Sequence, residues 1–279
     1  MQGGIQSGDI VFDIETQRSF DEVGGRDRFD KLGVSVVGAY VYGDDRYIAF
    51  EEHEIPEFAK LLDSALISNR RIIGFNINHF DVPVLQPYVS WNLKELAMLD
   101  LMQDIETGVG FRVSLDNLCS QTLGAKKSAD GMQAIRWYKE GKIDLIKEYC
   151  LKDVELTKEL YEFGRTNGHV LFFSRDAMGR IAVPVRWGSA QPQNVRNVLR
   201  EALEKRKSVE IEYVTKDAKD GGAPLKNRMV DIYRIASDNF EGFCHLRGAK
   251  RVFKIDRVLS ARLTDNTYTM FEDVQGTLL

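Results

Sequence analysis

Ile10-Val-Phe-Asp-Ile-Glu-Thr16 is an apolar run interrupted by two carboxylates. Residues 9–15 read as a strand, and an apolar run of this length is a buried one. Side chains two apart on a strand share a face. Asp13 and Glu15 therefore point one way, and Phe12 and Ile14 the other. Two buried acids on one face repel each other unless a cation sits between them. The question is which other acids reach the same place.

Two more segments bring them. Asn76-Ile-Asn-His-Phe-Asp81 directly follows the short apolar strand Arg71–Phe75, so Asp81 falls at a strand-to-helix junction near the sheet end. Tyr149-Cys-Leu-Lys-Asp153 lies in a long helical pattern over Ile143–Phe163. Residues four apart on a helix share a side, so Tyr149 and Asp153 point together. Four carboxylates converging from three elements make a hard, all-oxygen site, which suits Mg²⁺ or Mn²⁺. Taken singly the residues have blander readings. Asp-x-Glu is also a solvated strand edge, Tyr149 a helix-face aromatic, and Asp81 a helix N-cap.

The remaining pattern sets the fold class. Gly33–Tyr42 and Arg46–Phe50 read as strands around Gly43-Asp44-Asp45, and Ala97–Met102 as a weaker strand. Ile55–Ile67 and Leu115–Leu123 have helical spacing, and Gln17–Lys31 is a polar loop. Strands first, a helix between them and helices after predict an α/β fold with a mixed sheet covered by helices.

FDIET, GFNINHFD and YCLKD, in this order, resemble the three motifs of the four-acid 3′–5′ exonucleases with the ribonuclease H-like fold. The first two are most similar to the proofreading domains of B-family DNA polymerases. The resemblance covers roughly residues 8–168. The family's acids map onto Asp13, Glu15, Asp81 and Asp153. A tyrosine four residues before the last acid marks the tyrosine (DEDDy) subclass, and Tyr149 stands there; the histidine subclass would have His where this chain has Glu148. The resemblance implies two divalent ions, Mg²⁺ or Mn²⁺, about 4 Å apart on a phosphodiester. It implies that Asp13 bridges both ions, that Glu15 and Asp153 hold the one that activates water, and that Asp81 acts through the other. Tyr149 would orient the attacking water, because a phenol of pKa ~10 is a poor base near neutrality. Asn76 sits where the family often touches substrate, with a turn residue as the other reading. Lys126 and Lys127, like Arg26 and Arg28, read as phosphate contacts or as solvated basic turns. Phe12 and Phe80 read as core or as a stacking wedge. The implied partner is the 3′ end of single-stranded DNA or RNA, with DNA favoured.

Composition divides the chain. Residues 193–279 hold 16 Lys and Arg against 13 Asp and Glu, whereas the first 192 hold 22 against 29. The break lies near Trp187–Pro192. The expected organisation is a nuclease-like domain over 1–168, a β-hairpin (His169–Phe173 and Ile181–Trp187) with a linker over 169–192, and a β domain over 193–279. In the last, a helix from about Val195 precedes short strands at Val209–Val214, Met229–Ile235, Phe240–Leu246, Val252–Ile255 and Val258–Leu263. Such spacing predicts a small, strongly curved β-barrel.

VEIEY (209–213), RMV (228–230), FCHLR (243–247) and RVFKIDR (251–257) resemble the WYL domain, a small Sm-like barrel of prokaryotic regulators and nucleic-acid enzymes. The naming Trp-Tyr-Leu trio is absent, since Ser237-Asp-Asn239 occupies its place. The resemblance implies a basic pocket for a nucleotide or nucleic-acid end, lined by Tyr213, Arg228, His245, Arg247, Arg251 and Arg257. The other reading of these cations is a solvated β face.

The net charge of −4 does not announce a nucleic-acid partner. No apolar stretch approaches the ~20 residues of a membrane span, so no membrane partner is expected. MQGGIQSGD has no basic-then-apolar secretory pattern. Three distant cysteines suit a reducing, cytoplasmic setting rather than a disulfide framework. Oligomeric state has no signature. Besides the exonuclease, two readings stay open: a non-catalytic nucleic-acid-binding module, and a ligand-sensing regulator, the latter without a helix-turn-helix.

Overall fold

The structure, a computed structural model, describes residues 9–125, 131–175, 178–188, 195–214 and 225–269. Strand β1 (Ile10–Thr16) is followed by a one-turn helix α1 (Phe20–Val23) and then by β2 (Val34–Val41) and β3 (Arg46–Glu51). Helix α2 (Ile55–Ile67) crosses to β4 (Arg71–Gly74), and β5 (Ala97–Asp100) completes a sheet of order β3-β2-β1-β4-β5. The first three strands pair antiparallel, and β1, β4 and β5 are parallel. The sheet is mixed, as the alternation of elements predicts.

Being central, β1 is buried on both faces, and its residues alternate between two cores. Ile10, Phe12 and Ile14 pack with Phe58, Leu62 and Ala65 of α2. Phe12 is thus core, with its ring 5.5 Å from that of Phe58. Val11 packs on the other face with Val154, Leu156 and Leu160. These belong to α7 (Ile143–Asn167), the last of a helical run α3 (Asp81–Leu85), α4 (Leu101–Val109), α5 (Leu115–Thr122), α6 (Gly131–Lys139) and α7. Asp13 and Glu15 share parity with Val11 and so face α7.

How close α7 lies is decided by Gly38, the partner of Asp13 on β2. A β-carbon there would stand 2.9 Å from Cys150 Sγ and 3.2 Å from Val154 Cγ2. A side chain at this position would lift α7 off the sheet and carry Tyr149 and Asp153 away from β1.

Two helices depart from the periodicity reading. The weak strand expected over Ala97–Met102 stops at Asp100, whose carboxylate accepts from Met102 N (3.1 Å) and Gln103 N (3.2 Å) and starts α4 as an N-cap. Helix α6 buries only Ala134 and Ile135, too narrow a stripe for its period to stand out.

The hairpin β6 (His169–Ser174) and β7 (Gly179–Pro184) covers the α7 side of the first sheet. Val170, Phe172, Val183, Val185 and Trp187 join the same core as Val11. Trp187 fits against α7 because residue 164 is glycine: a β-carbon there would stand 2.4 Å from the indole. Its Nε1 donates to Asp104 Oδ2 at 2.7 Å.

Beyond it, α8 (Val195–Lys205) precedes β8 (Lys207–Val214), β9 (Leu225–Ile235), β10 (Asn239–Cys244), β11 (Ala249–Lys254) and β12 (Val258–Thr267). They form one antiparallel sheet of order β11-β10-β9-β8-β12. The expected closed barrel is corrected here: among the described residues no ladder joins β11 to β12. The 3₁₀ turn Ile255–Arg257 links those two strands, and Val195, Leu199 and Ala202 of α8 pack on the sheet's inner face. Alternating apolar residues specify strands and faces, whereas closure depends on pairing between the outermost strands. Among the described residues no helix is long and apolar enough to cross a membrane.

Candidate functional site

At the C-terminal end of β1 the ladder to β2 shifts between Glu15 and Thr16. Such a bulge ends regular pairing and re-aims side chains. Asp13, Glu15 and Asp153 each place a carboxylate oxygen within 4.8 Å of the others. Glu15 and Asp153 are buried. Cys150, one turn before Asp153, directs its thiol to Asp13 O at 3.4 Å. Burial, and then the negative charge of Asp13, Glu15 and Asp153, pushes that thiol well up its scale. Three clustered carboxylate oxygens, with no nitrogen or thiolate among them, fit a hard divalent cation such as Mg²⁺ or Mn²⁺.

Asp81 opens α3 and lines the same cleft, but it stands outside that three-oxygen group. Its Oδ1 accepts from Ile14 N on β1 at 3.1 Å. Burial pushes its carboxyl up to about 7, against the Ile14 N–H and its own N–H, with a smaller push from the charge of Asp100. Tyr149 is also buried in the cleft wall, its ring edge-on to Trp137 at 6.2 Å.

The cleft holds about 800 Å³ and brings together Asp13, Glu15, Asn76, Asp81, Tyr149 and Asp153. One wall is the segment after β1, whose Phe20 meets Phe80 from the loop before α3, with Phe29 packed edge to face behind both and centroids 5.3–6.3 Å apart. The other wall includes Met132 and Ile135 of α6. Lys139 at the end of α6 donates to Glu22 of α1, which ties the two walls and holds the Glu22 carboxyl well below its usual range. Arg18 and Arg26 line the cleft; Arg28 instead lies beside Asp30, 3.8 Å away. Lys126 and Lys127 lie outside the described residues.

Sequence reasoning missed Arg18, Met132 and Asp100. Arg18 and Met132 carry no local signal, because only tertiary packing brings them to the cleft. Asp100 does have one: an acid immediately before a helical pattern is an N-cap signature.

In the second sheet the six cationic and aromatic candidates do not share one face. Arg228 lies among the inner-face residues, buried, with its guanidinium 5.6 Å over the Tyr213 ring and Nη1 3.7 Å from Cys244 Sγ. Its Nε has no hydrogen-bond partner. Tyr213 is buried against Phe253, and its hydroxyl accepts from Lys254 N at 3.1 Å. Arg251 stands opposite Gly242 on β11, exposed and on the same face. Arg247 is exposed in the turn after β10, and Arg257 is half-buried in the 3₁₀ turn. His245 departs from them. It pairs with Asp231 Oδ1 at 2.9 Å, and Ser208 Oγ donates to the same oxygen at 2.6 Å. Asp231 is three residues from Arg228 on one strand, so this cluster occupies the opposite face.

Residues 10–163 match the RNase_H superfamily, and residues 194–263 match the WYL domain. No curated protein matches the chain. Among solved structures, Proteasome accessory factor B/C (PafBC) of Arthrobacter aurescens is similar at 17% identity over 57% of this chain, with a TM-score of 0.24. The match spans 21% of that structure's length, and so low a score carries no structural comparison. The first match takes in more than half of the chain together with the acidic cleft: the chain belongs to the RNase_H superfamily and carries a WYL domain after it.

Proposed function

We propose that the chain is a divalent-metal-dependent 3′–5′ exonuclease of single-stranded nucleic acid, with DNA preferred to RNA. The observation that carries this reading is the meeting of three carboxylates within 4.8 Å in a cleft that Asp81 and Tyr149 also line. Asp13, Glu15 and Asp153 would hold Mg²⁺ or Mn²⁺ directly, and Asp81 would complete the oxygen set from the opposite side of β1's end. Ions bound there would acidify water and offset the charge that develops on a phosphodiester. Tyr149, four residues from Asp153, would hold the attacking water in line. The water oxygen joins phosphorus, the bond from phosphorus to the 3′ oxygen of the preceding nucleotide breaks, and a 5′-mononucleotide leaves. Phe20 and Phe80, which line the cleft, would meet a terminal base, and Arg18 and Arg26 would meet its phosphates. The polarity and the tyrosine subclass are supported by the order of the three motifs and by Tyr149.

The test is a gel assay on 3′- and 5′-labelled single strands, DNA and RNA, with Mg²⁺, Mn²⁺ or chelator. A 5′-labelled strand should shorten stepwise in the presence of metal, and a 3′-labelled one should release labelled mononucleotide at once. Stepwise shortening of the 3′-labelled strand would reverse the polarity, and no cleavage with either metal would end the nuclease reading.

For the WYL domain we propose an anionic ligand, a nucleotide or a nucleic-acid end, at the inner face. The support is the buried Arg228, whose guanidinium lies over Tyr213 and whose Nε has no hydrogen-bond partner, with Arg251 on the same face and Arg247 and Arg257 in flanking turns. His245 is left out of this set by its place on the other face. Arg228→Met should weaken strand binding at least threefold and reduce the slope of log K against log salt by about one. The rate on very short oligomers should not change. An unaltered salt slope would remove nucleic acid from this face.

A further inference from the structure

Asp100 is a buried acid that the chemistry above does not use. Its two oxygens accept four backbone N–H groups from two different elements. Oδ1 takes Asn76 N at 2.9 Å, Met102 N at 3.1 Å and Gln103 N at 3.2 Å, and Oδ2 takes Asn78 N at 3.0 Å. Capping α4 accounts for the second and third of these. The other two belong to the segment between β4 and α3, which an N-cap has no need to touch.

That segment is unusually wound. Asn76 sits at φ +69°, a left-handed conformation uncommon for side chains other than glycine and taken up by asparagine more readily than by most. Its carbonyl accepts from both His79 N (3.2 Å) and Phe80 N (3.1 Å), and Ile77 O accepts from Val82 N at 2.9 Å. Ile77 is turned under the chain and fully buried against Gly74, where a β-carbon would stand 2.1 Å from Ile77 Cγ2. Asn78 Nδ2 adds a bond to Gln103 Oε1 at 2.7 Å, so the loop is joined to α4 twice. At the end of this winding Asp81 enters the cleft. Near its start, Asn76 lines the cleft with a buried Oδ1 that has no hydrogen-bond partner.

We propose that Asp100 is a positioning residue for the cleft: by clamping the backbone of Asn76 and Asn78 onto the start of α4, it holds Asn76 and Asp81 aimed at the substrate. Its two tasks are separable. A serine at this position would still cap α4, since Ser is among the best N-caps, but its single short hydroxyl cannot also reach Asn76 and Asn78. An asparagine would keep one acceptor oxygen and turn an NH₂ toward a loop amide, an intermediate defect. The proposal uses the exonuclease reading for its catalytic consequence, whereas the clamp itself can be measured without catalysis.

The experiment compares the full chain with Asp100→Ser, Asp100→Asn and Ile105→Ala. The last removes a buried side chain from the same helix without touching the loop's hydrogen bonds. Amide hydrogen exchange is followed at residue resolution alongside kcat and KM on a single-stranded oligomer, at a temperature where every variant is folded. In Asp100→Ser the Asn76 and Asn78 amides should exchange at least tenfold faster, with β1 and α7 unchanged. Its kcat/KM should fall at least thirtyfold, and Asp100→Asn should lie between it and the native chain. Ile105→Ala should lose thermal stability and keep kcat/KM within twofold. Unchanged exchange at Asn76 and Asn78 would overturn the clamp. An equal loss of kcat/KM in Ile105→Ala would reduce Asp100 to a merely structural acid. If the native chain cleaves no strand, the exonuclease reading fails by itself, and the exchange comparison still decides whether Asp100 holds the loop.

Discussion

Asp13→Asn is expected to abolish strand shortening while raising the melting temperature of the metal-free chain. Both effects have one cause. Asp13, Glu15 and Asp153 hold oxygens within 4.8 Å of one another, two of the three residues are buried, and the nearby Cys150 thiol is driven upward by burial and then by their charge. At such separations two like charges repel by roughly 4 kcal/mol at an effective dielectric of about 20. The metal-free fold carries that repulsion, and asparagine at 13 relieves part of it without changing the shape of the side chain. The same substitution removes one oxygen donor of the proposed ion set, the acid that the family resemblance would place on both ions. Cleavage should therefore fall by a factor on the order of 10³ or more, about 4 kcal/mol of barrier. Two measurements check this: cleavage in Mn²⁺, and melting curves with and without Mn²⁺. The native chain should gain thermal stability from the ion by mass action, and Asp13→Asn should gain almost none. A variant that melted lower in chelator and rose with Mn²⁺ as the native chain does would show that Asp13 is not a ligand.

The acids were legible because they obey short-range rules. Asp13 and Glu15 are two apart on a strand, Tyr149 and Asp153 four apart on a helix, and Asp81 follows an apolar strand by one tight loop. Each rule fixes a direction within one element, and three elements that must pack together do the rest. Asp100 shows where such reasoning stops. Its capping role is local, but its bonds to Asn76 and Asn78 cross more than twenty residues of chain, and no spacing rule reaches that far. The second sheet shows the same limit in another form. Alternation located its strands and helix, yet it could not tell an open sheet from a closed barrel. The resemblance to a ligand-binding family gathered Arg228 and His245 into one set. The register puts them on opposite faces, because Asp231, the partner of His245, lies an odd number of residues from Arg228 on β9. A set carried over by motif must still satisfy strand parity.

Asp81→Asn should stabilise the metal-free protein at alkaline pH and leave it unchanged near pH 4. In the fold the carboxyl is buried and pushed up to about 7, chiefly by loss of solvation, whereas in the unfolded chain it titrates near 3.9. Below about pH 4 it is protonated in both states and contributes nothing to the difference. Between about 4 and 7 the unfolded chain ionises first, so folding stability falls as pH rises, and above about 7 the whole cost is present. A separation of this size amounts to about 4 kcal/mol at most. In a chain of this length that corresponds to at most about 7 °C in melting temperature. Asparagine keeps an oxygen for the Ile14 N–H and cannot ionise, so the cost disappears. In chelator the native chain should lose melting temperature relative to Asp81→Asn as pH rises from 4.5 to 8.5. With Mn²⁺ the order should reverse, because a dication favours the ionised acid that the apo fold disfavours. Parallel curves across the whole pH range would mean that Asp81 is ionised and well compensated in the apo fold. If Mn²⁺ then also failed to separate the two proteins, Asp81 would have no part in holding metal. A site that is less stable empty than its own inactive variant is what a cleft organised around cations requires, since the strain that lowers apo stability is the same affinity that draws the ions in.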